Sequence, residues 1–344
     1  YGMMSYISSY GCPHRCEFCG IPAGTQTFKP TSNDRVVDHF IQFQQMGMKE
    51  VIFFDDNFFT SKKRILEMAQ GFLDAGVKLD WHCNGRIDQI MRFNDEEMSL
   101  VAKSGLKSIN VGYESADQAV LDLVTKDYEA EDIFGLAAML RRTDVGLCVN
   151  FIVGLPGESP ESLADSMQSL LKIYEVNPQL TVSWYIFMPS PGTPLWDKMV
   201  RDGMMTDHVT MKEHGEFDVI FMEHPWYFWG PPNRLWKEWR GKHKAVAWYF
   251  WMAYAAAPAT GFLTRGPFKL LRKWCRWRYE NRKFRVRADW LLAFYFHRAR
   301  TLTRWSLKGL SRVRPIWDIY QAFRKLRPAK APEYMPMSGI PRSV

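Results

Sequence analysis

Short apolar runs alternate with amphipathic stretches in the N-terminal part of the chain, and this alternation restricts the fold more than any other feature. The runs have the length of strands, and the stretches between them repeat apolar residues at the helical period. Strands separated by helices form βα units and a parallel sheet. The six predicted strands are Met3–Ser8, Glu50–Phe54, Leu79–Cys83, Ser108–Gly112, Leu147–Val153 and Val182–Phe187. The predicted helices span about 33–46, 61–75, 95–104, 130–142 and 159–174.

Six such units fit an open barrel better than a closed eight-stranded one. The predicted fold class is therefore α/β, a (β/α)6 partial TIM-like barrel with a C-terminal helical, basic, aromatic-rich domain. We expect a core domain at 1–205, a linker at 206–232, the basic domain at 233–327 and a loose tail at 328–344. The sequence starts at Tyr1 rather than Met, so we expect it to be a piece of a longer protein.

Charge divides the chain into two unlike regions. Residues 1–230 carry 19 Lys and Arg against 32 Asp and Glu, a net −13, whereas residues 231–344 carry 26 against 5, a net +21. Eleven of the 14 tryptophans lie beyond residue 225. The two regions are thus predicted to meet different surroundings.

Three of the six cysteines, Cys12, Cys16 and Cys19, lie within eight positions, and no fourth cysteine follows nearby. Six cysteines are too few for a disulfide scaffold in a chain of this size, so the cluster points to metal or redox chemistry. Three thiolates can hold three corners of a metal centre and leave one open. Thiolate ligands favour an iron–sulfur cluster or zinc, and zinc would recruit His14 or His82 as its fourth ligand.

Each predicted strand runs into polar or glycine-rich residues, and in parallel α/β folds chemistry collects at that carboxyl edge. These segments are the cysteine loop, Asp55-Asp56-Asn57, Asn84-Gly85-Arg86, Tyr113-Glu114-Ser115, the stretch from Gly154 to Glu158, and "MPSPGTPLW".

The segment "GCPHRCEFCGIP" resembles the signature of the radical S-adenosylmethionine (SAM) superfamily, C-x3-C-x-aromatic-C, with Phe18 as the aromatic residue. The segments "FFDDNFF", "NGRID", "VGYESAD", "VNFIVGLPGESPES" and "PSPGTPLW" further resemble the branch whose members usually carry a cobalamin-binding domain. Magnesium-protoporphyrin ester cyclases, radical methyltransferases and hopanoid-tailoring enzymes belong to that branch.

The resemblance implies that the three cysteines bind three irons of a 4Fe-4S cluster and that SAM occupies the fourth. An electron from the cluster would then cleave SAM and release a 5′-deoxyadenosyl radical. The resemblance places further cofactor-binding residues at Phe18, Asp55, Asp56, Asn57, Arg86, Glu114, Ser115 and Gly154, and it leaves the catalytic residues unknown.

Structural alternatives exist for several of these residues. Asp55–Asn57 could instead cap the helix that begins near residue 61, and Glu114 could form a structural ion pair. Arg86 could pair with the SAM carboxylate, with Asp88 or with Glu114. Tyr113 could line a substrate pocket, although core packing is the commoner role. Cys83 and Cys148 have the pattern of small core residues.

The basic region allows three interpretations. Tryptophan pairs and Lys or Arg predict a peripheral membrane surface at 233–327, aromatic helices packed against the barrel mouth, or a nucleic-acid surface, which we regard as the weakest of the three.

The expected partners are a hydrophobic, lipid-like or tetrapyrrole substrate and an electron donor such as flavodoxin or ferredoxin. The predicted location is the cytoplasm, including the inner face of the membrane. The predicted outcome is methyl transfer or ring closure. The alternatives are an RNA-modifying radical SAM enzyme and a non-catalytic, zinc-bearing, membrane-associated binding protein.

Overall fold

The structure is a computed structural model and describes residues 2–21, 27–204, 241–255, 267–286 and 288–289. The predicted linker and tail lie outside these residues, as does most of the predicted 233–327 domain. The strands are β1 Met3–Tyr6, β2 Ser9–Tyr10, β3 Lys29–Pro30, β4 Glu50–Phe53, β5 Asp80–Gly85, β6 Leu106–Glu114, β7 Gly146–Val153 and β8 Thr181–Ile186. The helices are α1 Asn33–Gln45, α2 Lys62–Asp74, α3 Ile87–Ile90, α4 Asp95–Lys103, α5 Gln118–Leu123, α6 Asp132–Arg142, α7 Pro160–Val176, α8 Pro194–Arg201, α9 Gly241–Phe250 and α10 Pro267–Glu280.

Six strands form one parallel sheet in the order β1-β4-β5-β6-β7-β8. The order follows the chain, so each crossover moves in the same direction. Right-handed crossovers then place the helices of the βα units on one face of the sheet, as in a barrel, and leave the other face free of them. The prediction of an α/β fold with a parallel six-stranded sheet is therefore confirmed.

The helix-covered face holds an aromatic core. Phe40 of α1 stacks on Phe53 of β4 with ring centroids 5.3 Å apart, and it stacks on Phe72 of α2 at 4.3 Å. Trp81 of β5 meets Phe53 edge-on at 5.6 Å. These side chains are fully buried. Alternate strand residues point to this face, which explains why the six strands were visible in the sequence.

All six predicted strands and all five predicted helices are present, and no end is shifted by more than two residues. The start of α7 is as predicted from the sequence. The Ser159 side chain accepts a hydrogen bond from the Ser162 backbone, the Ser162 side chain accepts one from the Ser159 backbone, and Pro160 is the first helical residue. The short helices α3, α5 and α8 and the pair β2–β3 were not predicted. They are too short for a hydrophobic period to show.

The described part of the basic region packs against the α/β region. Phe250 of α9 lies 5.6 Å from Trp184 of β8, centroid to centroid, and the Tyr279 hydroxyl of α10 donates to the Ala164 carbonyl of α7 at 2.6 Å. A π-helical turn over Trp251–Ala255 continues α9. Among the described helices, none combines the length and the apolar character needed to cross a bilayer.

Candidate functional site

The three cysteines lie on a loop whose ends are joined by a small antiparallel ladder. Ser9 pairs with Pro30 and Tyr10 with Lys29, so β2 and β3 close the base of the loop. Gly11 follows β2 with a φ of 83°, which glycine adopts without strain. Further along, the Glu17 backbone donates to the Val124 carbonyl at 3.0 Å and accepts from the Leu195 backbone at 2.9 Å. The loop is therefore held from three sides.

Two aspartates at the end of β4 position the start of this loop. Asp55 is 2% exposed and accepts hydrogen bonds from the Ser8 backbone and hydroxyl, both at 2.7 Å, and from the Ser9 hydroxyl. Asp56 accepts from the Gly11 backbone at 2.7 Å. Burial raises the pKa of Asp55, and the donated hydrogen bonds oppose that rise. Both carboxylates thus hold the chain that carries the cysteines.

Polar side chains also reach two of the thiols. The Asn57 amide nitrogen lies 3.8 Å from Cys12 Sγ, and Arg86 Nη1 lies 3.3 Å from Cys16 Sγ. Burial raises the pKa of Cys19, and the nearby Cys16 and Cys12 add to the rise, whereas Lys126 opposes it. All three thiols are free. The loop therefore carries three free thiols, with hydrogen-bond donors beside two of them.

This donor set fits a cluster better than a closed zinc site. Within the described ranges, no three Cys, His, Asp or Glu side chains converge on one point as a single ion would require. A 4Fe-4S cluster makes a different demand, because each thiolate binds its own iron. Each histidine that zinc would recruit has another partner: His14 Nε2 lies 2.8 Å from the Gln89 amide, and His82 Nδ1 lies 2.7 Å from the Ser108 hydroxyl.

Arg86 follows β5 and is 7% exposed. Besides Cys16, its guanidinium contacts Asp88 Oδ1 at 2.9 Å and donates to the Lys126 carbonyl. Of the alternatives raised from the sequence, the structure therefore shows the pair with Asp88 and adds a thiol. It shows no contact between Arg86 and Glu114.

Glu114 ends β6 and forms a buried ion pair. The sequence suggested such a pair but did not identify the partner. The Glu114 carboxylate lies 2.9 Å from Lys126 Nζ, and both side chains are less than 10% exposed. A β-bulge precedes Glu114, and its φ of 60° is left-handed, a strained conformation that clusters at functional sites. A Cβ on Gly112 would collide with the carboxylate. Lys126 Nζ also lies 5.5 Å from the centre of the Phe18 ring.

Phe18, Lys126 and Glu114 therefore connect the cysteine loop to the sheet. Lys126 is a candidate site residue that was not predicted from the sequence. It lies in a short loop without periodicity, where the only signal was one basic residue among several acidic neighbours in "LDLVTKDYEAED".

The remaining predicted residues, Ser115 and Gly154, make contacts within the turns that follow β6 and β7. The Ser115 hydroxyl contacts Ser166 of α7 at 3.4 Å and accepts from the Asp117 backbone, so it serves the turn behind the sheet. Gly154 has a φ of 89°, and its backbone donates to Glu158 Oε2 at 2.6 Å. Burial raises the pKa of Glu158 to about 8.

The alternatives for the Asp55–Asn57 segment and for Tyr113 are also resolved in part. Ser61, not the aspartates, caps α2, because its side chain accepts from the Arg64 backbone. Tyr113 is 1% exposed and hydrogen-bonds Ser169 of α7 at 2.9 Å, which confirms core packing.

The sheet face without helices is polar. His82 pairs with Ser108, Asn110 donates to Asn84 at 3.1 Å, and Cys148 lies 3.7 Å from the Ser183 hydroxyl. Cys83 is a core residue as predicted, but Cys148 is not: it is partly exposed on this polar face, because its neighbours Leu147 and Val149 take the core side of β7. This inner face adjoins the Glu114–Lys126 pair through Gly112.

Comparison with known proteins identifies relatives of the α/β region. A family model described as the radical SAM superfamily matches residues 6–170. The anaerobic magnesium-protoporphyrin IX monomethyl ester cyclase of Cereibacter sphaeroides is 27% identical over 213 residues, which are 61% of this chain and 33% of the cyclase. The hopanoid C-2 methylase of Rhodopseudomonas palustris is 24% identical over 224 residues, 63% of this chain and 41% of the methylase. The chain thus spans about a third to two fifths of these relatives.

A solved structure shares the fold. The radical S-adenosylmethionine methyltransferase TsrM from Kitasatospora setae, with cobalamin and a [4Fe-4S] cluster bound, superposes with a TM-score of 0.53 at 18% identity. The match covers 60% of this chain and 41% of that one. At this identity, the likeness establishes a common architecture for the sheet and its helices.

Proposed function

Because residues 6–170 of this chain match the radical SAM superfamily model, we propose that the chain is the catalytic core of an enzyme that cleaves SAM reductively. The observation that carries the proposal is the cysteine loop: three free thiols at the carboxyl edge of a parallel sheet, with Arg86 and Asn57 directed at two of the sulfurs.

In this proposal, Cys12, Cys16 and Cys19 hold a 4Fe-4S cluster and leave one iron to SAM. The bound cluster supplies the electron for cleavage of SAM. Asp55 and Asp56 keep the loop in the conformation that presents the thiols, and Arg86 stabilises the negative charge on Cys16.

We propose that SAM lies beside the Glu114–Lys126 pair. A carboxylate and an ammonium at one place suit an amino acid, which carries the opposite charges. The pair is buried, it lies next to Phe18 of the cysteine loop, and Glu114 is held in a strained conformation. The cofactor-binding role that the resemblance implies for Asp55 and Asp56 finds less support, since both accept hydrogen bonds from the loop.

We infer the substrate class and the outcome of the reaction from the named relatives. One relative is named as a cyclase of a tetrapyrrole and another as a methylase of hopanoids. These names support ring closure or methyl transfer on a small, largely apolar molecule. The inner face of the sheet is polar, so we propose that such a substrate places a hydrogen-bonding end against Asn84 and Asn110. A cobalamin-binding domain and a flavodoxin or ferredoxin would act as partners from outside this chain.

Anaerobic reconstitution tests the proposal. We expect about four irons and four sulfides per chain, and 5′-deoxyadenosine on reduction with SAM. Replacing Cys12, Cys16 or Cys19 with Ala should abolish both, because two thiolates hold a cluster poorly. The matched controls are Cys83→Ala, Cys148→Ala and Cys275→Ala, which should keep the iron. Full iron in Cys16→Ala would refute the assignment.

A further inference from the structure

A second surface, separate from the cysteine loop, lies on α10. Leu270, Trp274 and Trp277 occur at i, i+4 and i+7, so they form one stripe about 10 Å long on the helix. Leu270 is 70% exposed, Trp274 47% and Trp277 46%. The two indole rings stack with centroids 5.1 Å apart. We name these three residues the Trp274 stripe.

The rest of α10 fixes this stripe in place. On the opposite side, Cys275 is buried, and Tyr279 is hydrogen-bonded to α7. Arg282, just past the helix, pairs with Asp165 of α7 at 2.5 Å. The Trp274 indole N–H donates to Asp289 at 2.7 Å. The stripe therefore has a fixed position on the surface, because the helix that carries it is anchored through its opposite side.

The charge around the stripe is strongly positive. Lys269 and Lys273 lie exposed along one border. Residues 267–286 and 288–289 carry eight Lys and Arg but two acids, Glu280 and Asp289. Each acid has an arginine partner, at 2.7 and 3.0 Å. The lysines beside the stripe thus add positive charge that these acids do not neutralise.

We propose that the Trp274 stripe lies in the headgroup region of an anionic phospholipid bilayer, with α10 parallel to the surface and Lys269 and Lys273 at the phosphates. Interfacial helices combine an apolar face bearing tryptophan with flanking Lys and Arg. A single-stranded nucleic acid would use aromatic rings to stack bases. Leu270, the most exposed member, offers no ring, so lipid is the better match.

The test is co-sedimentation of the full chain with phosphatidylcholine vesicles, with and without phosphatidylserine. Binding should require phosphatidylserine and weaken as salt rises. Leu270→Gln and Lys273→Glu should each weaken it, the second by more than fivefold, since one basic residue near an anionic surface contributes about fivefold. The controls are Met46→Gln, an apolar residue that is 64% exposed, and Lys78→Glu on an exposed turn; both should bind like the wild type.

A spectroscopic arm locates the contact. Trp274→Phe/Trp277→Phe keeps the rings apolar, so binding should persist while quenching of tryptophan emission by brominated phosphatidylserine falls. Several results would overturn the proposal: no binding by the wild type, equal binding to both vesicle types, or Leu270→Gln and Lys273→Glu variants that bind fully. Displacement of the vesicles by polyuridylate would identify the surface as a nucleic-acid site instead.

Discussion

The two ends of the carboxyl edge of the sheet use acidic side chains in opposite ways. Beside β1 and β4, Asp55 and Asp56 accept hydrogen bonds from the backbone and hydroxyls that begin the cysteine loop. Beside β6 and β7, Glu114 pairs with Lys126, and one oxygen of Glu158 has no hydrogen-bond partner within the described residues. The first end uses its acids to hold the loop, whereas the second holds a buried ion pair and the buried carboxyl group of Glu158.

The difference shows that a carboxylate after a strand does not by itself mark a ligand contact. Its hydrogen-bond partners decide. An aspartate whose lone pairs are filled by backbone N–H groups shapes the loop, whereas an acid that is balanced by a single lysine can exchange that partner for a ligand of the same charge.

The largest effect is expected at the β1–β4 end. Asp55→Ala leaves three buried donors of Ser8 and Ser9 without an acceptor, so we expect at least about 3 kcal/mol of lost stability and little bound iron. Asp56→Ala removes one hydrogen bond, to Gly11, and should lower iron content while the chain stays folded. Denaturant titration and iron analysis measure both.

Asp55→Asn sharpens the distinction between the two ends, because the amide keeps one acceptor oxygen. If this variant loads iron normally but loses SAM affinity, the aspartates bind SAM. The acids at the two ends of the sheet would then not differ in their role.

A smaller, more selective effect is expected at the β6–β7 end. Glu114→Gln/Lys126→Met removes both charges of the buried pair, so neither is left unpaired. Iron content should persist, while SAM affinity should fall about 10- to 150-fold, the equivalent of one charge-assisted hydrogen bond of about 1.5–3 kcal/mol. Equilibrium dialysis of the cluster-loaded protein measures it.

The matched control is Asp95→Asn/Arg142→Gln, which removes an ion pair whose side chains are 57% and 54% exposed. This variant should bind SAM like the wild type. Equal SAM affinity in all three proteins would make the Glu114–Lys126 pair a purely structural feature.

The last expected effect is a pH dependence of stability that comes from Glu158. Its pKa is raised from 4.5 to about 8 by burial, so the folded state holds a proton that the unfolded state releases. Stability should therefore fall as pH rises from about 4.5 to 8. Glu158→Gln cannot titrate and should flatten that slope, with little change near pH 5. Urea titrations of the iron-free protein at pH 5 and pH 8 measure it, and a slope shared by both proteins would assign the pH dependence to other groups.

The sequence predicted the strands better than the contacts between their ends. Alternating burial made β5 and β7 visible, because one face of each is covered by helices. The sequence also placed Asp55, Glu114 and Arg86 at the carboxyl edge of the sheet. Their partners were not predictable. Ser8 lies 47 residues before Asp55, and only the parallel register of β1 on β4 brings the two together. A lysine in a loop carries no sign that it is buried, so Lys126 was missed.

The contact of Arg86 with Cys16 bears on how easily the site takes up an electron. A guanidinium 3.3 Å from a sulfur withdraws negative charge from it, and hydrogen bonds to cluster sulfurs help set the reduction potential. Arg86 is also tied to Asp88 and to the Lys126 backbone, so its charge stays in place. We expect a fixed positive charge there to raise the midpoint potential, and a mediated redox titration of Arg86→Gln should then show a lower one. The residue would in that way set the driving force needed from an external reductant, whereas the proposed SAM site lies at the Glu114–Lys126 pair.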